Sequence, residues 1–490
     1  MDPIKYPDVK YTQLFINNQF VDSVNGKKFS TINPATCQEI VQVQEAGSAD
    51  IDKAVQAAKA AFDRSSSWRQ MDASARGLLL YRMGELMERD STYLASLETY
   101  NNGKPYNAAL GDVIASVGVF KYYAGVADKL CSQVIPADGT KFCYTVYEPV
   151  GVCGAITPWN YPILMAAIKI APCLATGNTL VLKPAEQTPL TALAMAALMK
   201  EAGFPPGVFN VVPGFGPTAG QPLVQHPDVK KITFTGSTEV GKLIQREASA
   251  TCKRVSLELG GKSPLIIFPD ADLDKAVQVA HDMVMINQGQ CCIAASRTFV
   301  HEAIYDEFVE RSVALAKSRK VGNPLEPTND QGPQIDNEQF NKILTLIESG
   351  VKEGAKLECG GSRVGSAGYF IEPTVFSNVT DNMRIAREEI FGPVQQILKF
   401  KDIDDVLERA NNTNYGLGAG VFTKDIETAM KCTSRLEAGQ VYVNNYFNAS
   451  IQVPFGGFKE SGIGREFGLD GLRQYYEVKS VIMDLPFKVL

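Results

Sequence analysis

The chain has 490 residues, 45% of them hydrophobic and 21% charged, and its formal net charge at pH 7 is −6. A chain of this length can bury more than one hydrophobic core, so we expect two or three domains. Positive and negative residues are interspersed and form no basic stripe, which argues against nucleic acid and anionic membranes as partners.

The start of the chain and its cysteines indicate a cytoplasmic protein. The first residues, "MDPIKYPDVKYTQLF", lack the cationic start and apolar run of a signal peptide, and no apolar run reaches membrane-spanning length. Ten cysteines are scattered without a C-x-x-C pair, as is typical of reduced thiols. No His and Cys residues cluster at metal-ligand spacing, so we expect no metal.

The first third of the chain predicts helices and then a hairpin. Amphipathic patterns favour helices at 49–64 and 75–90, and two extended runs flank Ala-Asp-Gly within 130–147. The hairpin and the closing segment 475–485 are apolar enough to be strands that reach outside the domains. Such strands often pair subunits.

From residue 148 onward, strands and helices alternate. We predict strands at 151–156, 179–184, 208–212 and 230–236, and helices at 162–178, 189–203, 218–226 and 238–249. This order implies right-handed crossovers and a largely parallel sheet, the architecture that binds nucleotides at its carboxyl edge.

A second alternating stretch begins at 263–268. It continues with a helix at 271–289, a helix at 303–320 and strands at 394–400 and 439–444. The predicted fold class is therefore α/β, with a doubly wound Rossmann-like domain, a second α/β domain and a small β extension. The predicted boundaries are 1–129 with 148–260 for the first domain, 261–460 for the second, and 130–147 with 475–490 for the extension.

Three motifs near predicted strand ends are candidates for nucleotide contacts. "GFGPTAG" (214–220) and "TGSTEVG" (235–241) each follow a strand, but neither is a regular G-x-G-x-x-G, and each is as consistent with a plain turn. In "KPAEQTP" (183–189), Lys183 and Glu186 leave the carboxyl end of a strand. A carboxylate there would accept hydrogen bonds from ribose hydroxyls and repel a 2′-phosphate, favouring NAD over NADP; the alternative is a solvated turn.

The sequence "NQGQCC" (287–292) presents two adjacent cysteines. Glycine and alanines around them leave space for a thiol to attack a carbonyl, but two buried core cysteines are the plainer alternative. A free thiol with a pKa of about 8.5 is mostly protonated at neutral pH and needs activation. The chain has three histidines, none in a setting that suggests a Cys–His pair, so a carboxylate is the better candidate base.

Two further side chains suit a carbonyl reaction. Glu258 ends an apolar strand and precedes a glycine pair, so burial would raise its pKa and make it a general base; an exposed edge-strand glutamate is the alternative. Asn160 in "TPWNYP" offers an amide to a developing oxyanion, or it caps the helix that starts at Pro162. In "REEIFGP", Glu388 or Glu389 would hold a sugar, or both face water.

The order of these motifs resembles the NAD(P)-dependent aldehyde dehydrogenase superfamily. "TPWNYP", "KPAEQTP", "FTGSTEVG", "LELGGKSP", "NQGQCC", "EEIFGP" and "PFGGFKESGIGRE" follow one another in register over essentially the whole chain. "EAGFPPGVFNVVPGFGPTAG", "CIAASR" and "EEIFGPVQQILKF" are similar to the cytosolic class 1 branch, the retinal-dehydrogenase-like enzymes. The resemblance implies NAD as cofactor, an aldehyde substrate and a homotetramer built as a dimer of dimers. It also implies that 1–129 with 148–260 form the NAD-binding cofactor domain, 261–460 the catalytic domain, and 130–147 with 475–490 the oligomerisation strands.

The resemblance also implies roles for individual residues. Cys292 matches the nucleophile, Glu258 the general base and Asn160 the oxyanion donor, while Lys169 and Glu466 match positions that pass protons to and from the base. Cofactor contacts would fall on Ile156, Trp159, Lys183, Glu186, Gly216, Pro217, Gly236, Ser237, Leu259, Gln339, Lys342, Glu389 and Phe391.

The implied substrate channel departs from the family pattern. Tyr161, Met165 and Phe455 would line it. Ile168 stands where relatives commonly have tryptophan and should widen the channel, whereas Phe447 stands where retinal-oxidising relatives often have a small residue and should narrow it. Apolar aliphatic, aromatic or retinoid aldehydes are therefore expected. Two rival readings remain: a crystallin-like structural or binding protein of the same family, and a CoA-acylating relative, against which the retained Glu258 argues.

Overall fold

The computed structural model describes residues 2–447 and 450–488. The chain forms an eight-stranded sheet, a seven-stranded sheet, a three-stranded sheet and a two-stranded sheet, with helices between the strands of the two large sheets. The predicted α/β fold class is confirmed.

The eight-stranded sheet has a parallel centre. Its strands, numbered in chain order and given in spatial order, are β19 (Gly462–Ile463), β11 (Arg254–Glu258), β10 (Val229–Thr235), β7 (Val152–Ile156), β8 (Thr179–Lys183), β9 (Phe209–Val211), β1 (Leu14–Ile16) and β2 (Gln19–Val21). The strands from β11 to β9 are parallel. The chain order reverses between β7 and β10, and a crevice at this point is where such sheets bind ligands.

Helices cover both faces of this sheet. In β8, Leu180 and Leu182 enter one core cluster while Val181 enters the other, so the centre of the strand is apolar on both faces. One face carries α1 (Ser48–Ala61), α7 (Gln221–Gln225) and α8 (Thr238–Ala248). The other carries α2 (Ala73–Arg89), α3 (Ser91–Asn102), α4 (Tyr106–Val126), α5 (Pro162–Ala175) and α6 (Leu190–Ala202).

Residues 259–263 lead from β11 into the seven-stranded sheet. Its spatial order is β14 (Lys356–Cys359), β15 (Thr374–Ser377), β16 (Val394–Phe400), β13 (Arg297–His301), β12 (Pro264–Ile267), β17 (Gly418–Phe422) and β18 (Gln440–Val443), all parallel except β14. The associated helices are α9 (Leu273–Met285), α10 (Tyr305–Ser318), α11 (Asn337–Lys352), α12 (Arg384–Arg387), α13 (Ile403–Asn411) and α14 (Ile426–Arg435). This part has its own two core clusters.

The predicted hairpin and closing strand pair with each other. β6 (Lys141–Pro149) lies between β5 (Val134–Ile135) and β20 (Tyr476–Asp484), antiparallel to both. The remaining elements are β3 (Lys28–Asn33) with β4 (Gln38–Gln44), and the short helix α15 (Gly468–Leu472). Residues 489 and 490 of the predicted segment 475–490 lie outside the described residues. No helix in the described part of the chain is long and apolar enough to cross a membrane.

The prediction of one helix over 271–289 is wrong at its end. α9 stops at Met285, and Asn287, Gln288 and Gly289 adopt left-handed φ angles of 49°, 59° and 75°. The apolar periodicity continued through this segment because its side chains are buried, although the backbone is no longer helical. The chain therefore turns sharply just before the two cysteines.

Candidate active site

The left-handed turn after α9 places the two cysteines differently. Cys291 is 4% exposed and packs in a core cluster, whereas Cys292 lines a cavity of about 880 Å³. A Cβ on Gly289 would lie 1.9 Å from the carbonyl oxygen of Gly392, so glycine is required at this close approach. Of the two thiols, Cys292 is the one with access to a ligand.

The cavity lies at the switch point of the eight-stranded sheet, and its lining includes many of the predicted site residues. They are Trp159, Asn160, Gly236, Ser237, Glu258, Cys292, Gln339, Lys342, Glu389 and Phe391. Glu258 is the last residue of β11 and pairs with Thr235 at the end of β10, so both strands direct their carboxyl ends to the cavity. Its volume is within the usual range for cofactor and substrate pockets.

Glu258 is a buried carboxyl rather than an exposed one. It is 3% exposed, and its Oε1 accepts no hydrogen bond from the described residues. Burial, reinforced by the Glu466 carboxylate, raises the pKa of Glu258 to about 8. A carboxyl titrating near neutral pH suits proton transfer.

The Cys292 thiol is also shifted toward its neutral form. Its hydrogen bond with Cys291, its burial and the nearby Glu258 carboxylate all raise the pKa of Cys292. Because Glu258 and Cys292 share one low-dielectric site, a charge on either group disfavours a charge on the other.

Asn160 points its side chain toward the cysteine turn. Its Nδ2 donates to the carbonyl oxygen of Gln290 at 3.0 Å. The residue at the N-cap of α5 is Tyr161, which makes no side-chain capping bond, so the alternative of Asn160 as a helix cap is wrong. An amide carries two N–H groups, and the second donates to no other described residue, so it can meet an oxyanion.

Lys169 and Glu466 form a largely buried ion pair near Glu258. Lys169 Nζ lies 2.6 Å from Glu466 Oε1 and 2.8 Å from the hydroxyl oxygen of Thr235, and Lys169 is fully buried. Both residues act electrostatically on Glu258, with opposite signs. The pair thus places two charged side chains, one on α5 and one near the end of the chain, beside the general-base candidate Glu258.

Phe391, in the loop between α12 and β16, forms part of the cavity wall. The Trp159 and Phe391 rings meet edge to face with centroids 5.3 Å apart, and Gln339 Nε2 donates to the carbonyl oxygen of Phe391 at 2.9 Å. Glu389 accepts from the backbone N–H of Gly261 at 2.8 Å, and burial raises the pKa of Glu389. A buried carboxylate with one backbone donor has acceptor capacity left for a sugar hydroxyl.

The start of α8 supplies backbone donors. Ser237 is its N-cap, with the side-chain oxygen accepting from the backbone N–H of Val240 at 3.3 Å, and both Gly236 and Ser237 line the cavity. A helix N-terminus opening into a cavity favours a negatively charged group such as a phosphate.

Six predicted cofactor residues lie outside the cavity lining. Lys183 Nζ pairs with Glu186 Oε2 at 2.9 Å at the end of β8, and Leu259 packs on Gly241 of α8. Gly216 and Pro217 begin a π-helical turn at Gly216–Gly220 that leads into α7, where a regular helix was predicted. Ile156 ends β7 and packs in the core beneath α7 and α8.

The predicted channel residues divide between two clusters. Tyr161, Phe447 and Phe455 are partly buried against the same core cluster as Cys292. Met165 is partly buried against the core of the first sheet, and Ile168 lies inside that core with 2% exposure.

The cavity also contains residues that the sequence reasoning missed. Among them, Gln187 donates to Asp336 at 3.3 Å, and Asp336 in turn caps α11 through the backbone N–H of Gln339. Gln187 stands within the quoted "KPAEQTP", and the D-N-E-Q start of α11 is a helix-capping signal that sequence reading can find. Arg387, which stands within the quoted "REEIFGP", and Tyr415, which lies in no quoted motif, also line the cavity. The described residues contain no group of three or more His, Cys, Asp or Glu side chains arranged to hold a metal ion.

Comparisons with known proteins agree along the whole chain. The sequence model of the aldehyde dehydrogenase family matches residues 20–481. An aldehyde dehydrogenase of Enchytraeus buchholzi is 61% identical over 490 residues, covering 100% of this chain and 99% of the relative. Human retinal dehydrogenase 2 is 60% identical over 98% of this chain and 93% of its own length. The NAD⁺ complex of an aldehyde dehydrogenase from Bacillus cereus superposes with a TM-score of 0.96, at 48% identity and 97% coverage of both chains.

Proposed function

This chain belongs to the aldehyde dehydrogenase family and is an NAD-dependent enzyme that oxidises aldehydes to carboxylic acids, and we propose that Cys292 is its nucleophile. The observation that carries the proposal is the meeting of Cys292, Glu258 and Asn160 at one cavity at the switch point of the first sheet. These groups supply the nucleophile, the base and the oxyanion donor that aldehyde oxidation to an acid requires.

The proposed mechanism uses each group once. The Cys292 thiolate adds to the aldehyde carbon, and the free N–H of Asn160 donates to the resulting oxyanion of the thiohemiacetal. When bound, NAD⁺ would supply the acceptor for the hydride that the thiohemiacetal carbon loses, which leaves a thioester on Cys292. Glu258 then takes a proton from water, the hydroxide attacks the thioester carbonyl, and the acid leaves as the thiol of Cys292 is restored.

We assign Lys169 and Glu466 to proton passage from Glu258. Their ion pair lies behind the base, and Glu466 carries enough solvent exposure, 13% of its side chain, to connect the buried carboxyl with water. A base that works once per turnover needs such an exit for its proton.

The cavity residues fit NAD. The N-terminus of α8 with Gly236 and Ser237 would hold the pyrophosphate, Glu389 the nicotinamide ribose, and Phe391, Trp159 and Gln339 the adjoining wall. The Lys183–Glu186 pair at the end of β8 would hold the adenosine ribose and disfavour the 2′-phosphate of NADP. Ile156, Gly216, Pro217, Leu259 and Lys342 complete the proposed cofactor contacts.

We propose that the substrate is an apolar aldehyde. Tyr161, Met165, Phe447 and Phe455 would line its channel, with Ile168 acting from the core behind. Retinoid aldehydes remain within the proposed range, because the human relative at 60% identity carries the name retinal dehydrogenase 2. Aliphatic and aromatic aldehydes share the same apolar requirement.

The proposed assembly is a homotetramer, a dimer of dimers, in the cytoplasm. The three-stranded sheet leaves Val134, Ile135, Val478 and Ile482 exposed, which supports its use for self-association. In this proposal residues 1–129 and 148–260 form the NAD-binding domain, 261–460 the catalytic domain, and 130–147 with 475–490 the oligomerisation strands. Cytoplasmic placement rests on the resemblance to class 1 enzymes.

The crystallin-like alternative is not favoured, since the three catalytic groups are retained and meet at one cavity. A CoA-acylating enzyme would transfer its thioester to CoA, and the buried base Glu258 supports hydrolysis instead.

The decisive experiment measures NADH formed from an aldehyde without CoA. We expect Cys292→Ala to abolish NADH formation and the matched control Cys291→Ala, in the adjacent core position, to retain it. Activity that survives Cys292→Ala would overturn the assignment, and acid formed only with CoA would favour the acylating alternative.

A further inference from the structure

One buried amide ties the turn that carries Cys292 to the loop that carries Asn160. Asn287 Nδ2 donates to the carbonyl oxygen of Asn160 at 2.8 Å and to that of Gln290 at 3.1 Å. Asn160 Nδ2 donates to the same Gln290 oxygen at 3.0 Å. The nucleophile's turn and the oxyanion donor are thus joined through one shared carbonyl.

The side-chain amides of Asn287 and Asn160 differ in how many of their N–H groups are hydrogen-bonded. Asn287 uses both of its N–H groups on backbone carbonyls, whereas Asn160 uses one and keeps the other for the reacting oxygen. The direction of that free N–H depends on the positions of the Gln290 carbonyl and the Asn160 backbone. Asn287 fixes both of these positions.

The backbone at Asn287 is itself unusual. Asn287 and Gln288 hold φ/ψ angles of 49°/39° and 59°/30° in the left-handed region. Asparagine is among the few side chains that tolerate this region, and such a conformation persists only where its surroundings fix it. Asn287 is 6% exposed, so water has little access to replace its hydrogen bonds.

We propose that Asn287 is a positioning residue for the reaction, whose side-chain amide sets the distance and direction from the Asn160 N–H to the carbon attacked by Cys292. This inference rests on the proposed roles of Asn160 and Cys292. Asn287 would act only by positioning other groups, because both of its N–H groups donate to backbone carbonyls rather than to the substrate.

Misplacing the Asn160 N–H should slow only those reactions of Cys292 that form an oxyanion. Aldehyde addition, thioester hydrolysis and cleavage of p-nitrophenyl acetate each pass through a tetrahedral oxyanion, so each needs the Asn160 N–H in place. Alkylation of the thiol by iodoacetamide forms no oxyanion. Misplacement of a catalytic group by about 1 Å can cost about 100-fold in rate, which sets the scale of the expected loss.

The test is a double-mutant cycle between Asn287→Asp and Asn160→Ala. Aspartate keeps the shape and the tolerance for a left-handed backbone, but its carboxyl offers at most one donor for two carbonyls. The matched control is Gln288→Glu, the same amide-to-acid change one residue along the same turn, because Gln288 Nε2 donates to the carbonyl oxygen of Pro333 at 3.3 Å and not to Asn160. Asn287→Gly, which also suits the left-handed region, replaces Asn287→Asp if the latter folds poorly.

We expect Asn287→Asp to lower kcat/KM by about 10- to 100-fold for both the aldehyde and the ester, with the rate of iodoacetamide alkylation nearly unchanged. In the Asn160→Ala background the same change should cost less than about twofold, whereas Gln288→Glu should cost the same factor in both backgrounds.

Equal losses from Asn287→Asp in both backgrounds would overturn the inference, as would a parallel loss of alkylation. Failure of the proposed function is distinguishable, since it would appear as an active Cys292→Ala enzyme. An Asn160→Ala enzyme with full activity would remove the role of Asn160 and this inference together.

Discussion

The raised pKa of Glu258 predicts a specific pH dependence for thioester hydrolysis, which Glu258→Gln should remove. The base acts in its ionised form, so the hydrolysis rate should rise as pH rises through the pKa of about 8. At that pKa about one carboxyl in ten is ionised at pH 7 and about nine in ten at pH 9, so the rate should rise about tenfold between these pH values. A glutamate at its ordinary value would be ionised throughout and would give a flat profile.

Ester cleavage separates this step from the attack by Cys292. With p-nitrophenyl acetate, the initial burst of p-nitrophenolate reports acylation of Cys292 and the later linear phase reports hydrolysis of the acyl-enzyme. We expect Glu258→Gln to keep a burst and to lose most of the linear phase. Burial and the neighbouring groups also raise the pKa of Cys292, so the burst rate should increase with pH in both proteins.

Two results would refute this reasoning. One is a linear-phase rate in the wild-type enzyme that does not change between pH 7 and 9. The other is a Glu258→Gln enzyme whose linear phase keeps the wild-type rate and the same rise with pH, since the base would then be another group.

Three further predictions concern the ion pair, the cofactor and the channel. Lys169→Met leaves the Glu466 carboxylate without its 2.6 Å partner, so the free energy of unfolding measured in urea should fall by about 3–5 kcal/mol. The control Lys242→Met breaks an exposed pair and should lower it by less than about 1 kcal/mol. Equal losses from the two variants would contradict the buried pairing. Glu186→Gln removes the repulsion of a 2′-phosphate and should raise the ratio of kcat/KM for NADP over NAD about tenfold, whereas an unchanged ratio would exclude the ribose role. Phe447→Gly should raise kcat/KM for retinal relative to acetaldehyde about tenfold, and an unchanged ratio would place Phe447 outside the channel.

The sheets and most helices could be predicted from the sequence because burial and local pattern agree there. In β8 the three central residues are apolar and every residue is buried, so the short apolar run predicts a central strand. α8 has the matching local signals of a Ser237 N-cap and an apolar stripe that includes Ile244. In these elements local sequence preference and tertiary packing favour the same secondary structure.

The candidate site was only partly predictable because its conformation depends on contacts from distant segments. The backbone at Asn287 and Gln288 is left-handed, although the residue pattern continues the helix. The turn is set by the close approach of Gly289 to Gly392, which is distant in the sequence. The residues 271–289 alone give no sign of this contact. The pKa of Glu258 likewise depends on Glu466, which is far away in the sequence.

The paired shifts of Glu258 and Cys292 bear on how the enzyme rests between turnovers. Burial and the Glu466 carboxylate raise the pKa of Glu258 to about 8, and the hydrogen bond with Cys291, burial and the Glu258 carboxylate raise the pKa of Cys292, so both groups are mostly uncharged at neutral pH. A neutral thiol reacts slowly with oxidants and stray electrophiles, so the burial that makes Glu258 a competent base also protects Cys292 before substrate arrives. Activation then requires proton movement out of the site, and the buried Lys169–Glu466 pair is the polar connection that the fold provides behind Glu258. In the proposed mechanism Cys292 and Glu258 therefore titrate together, and their protons reach solvent through Glu466.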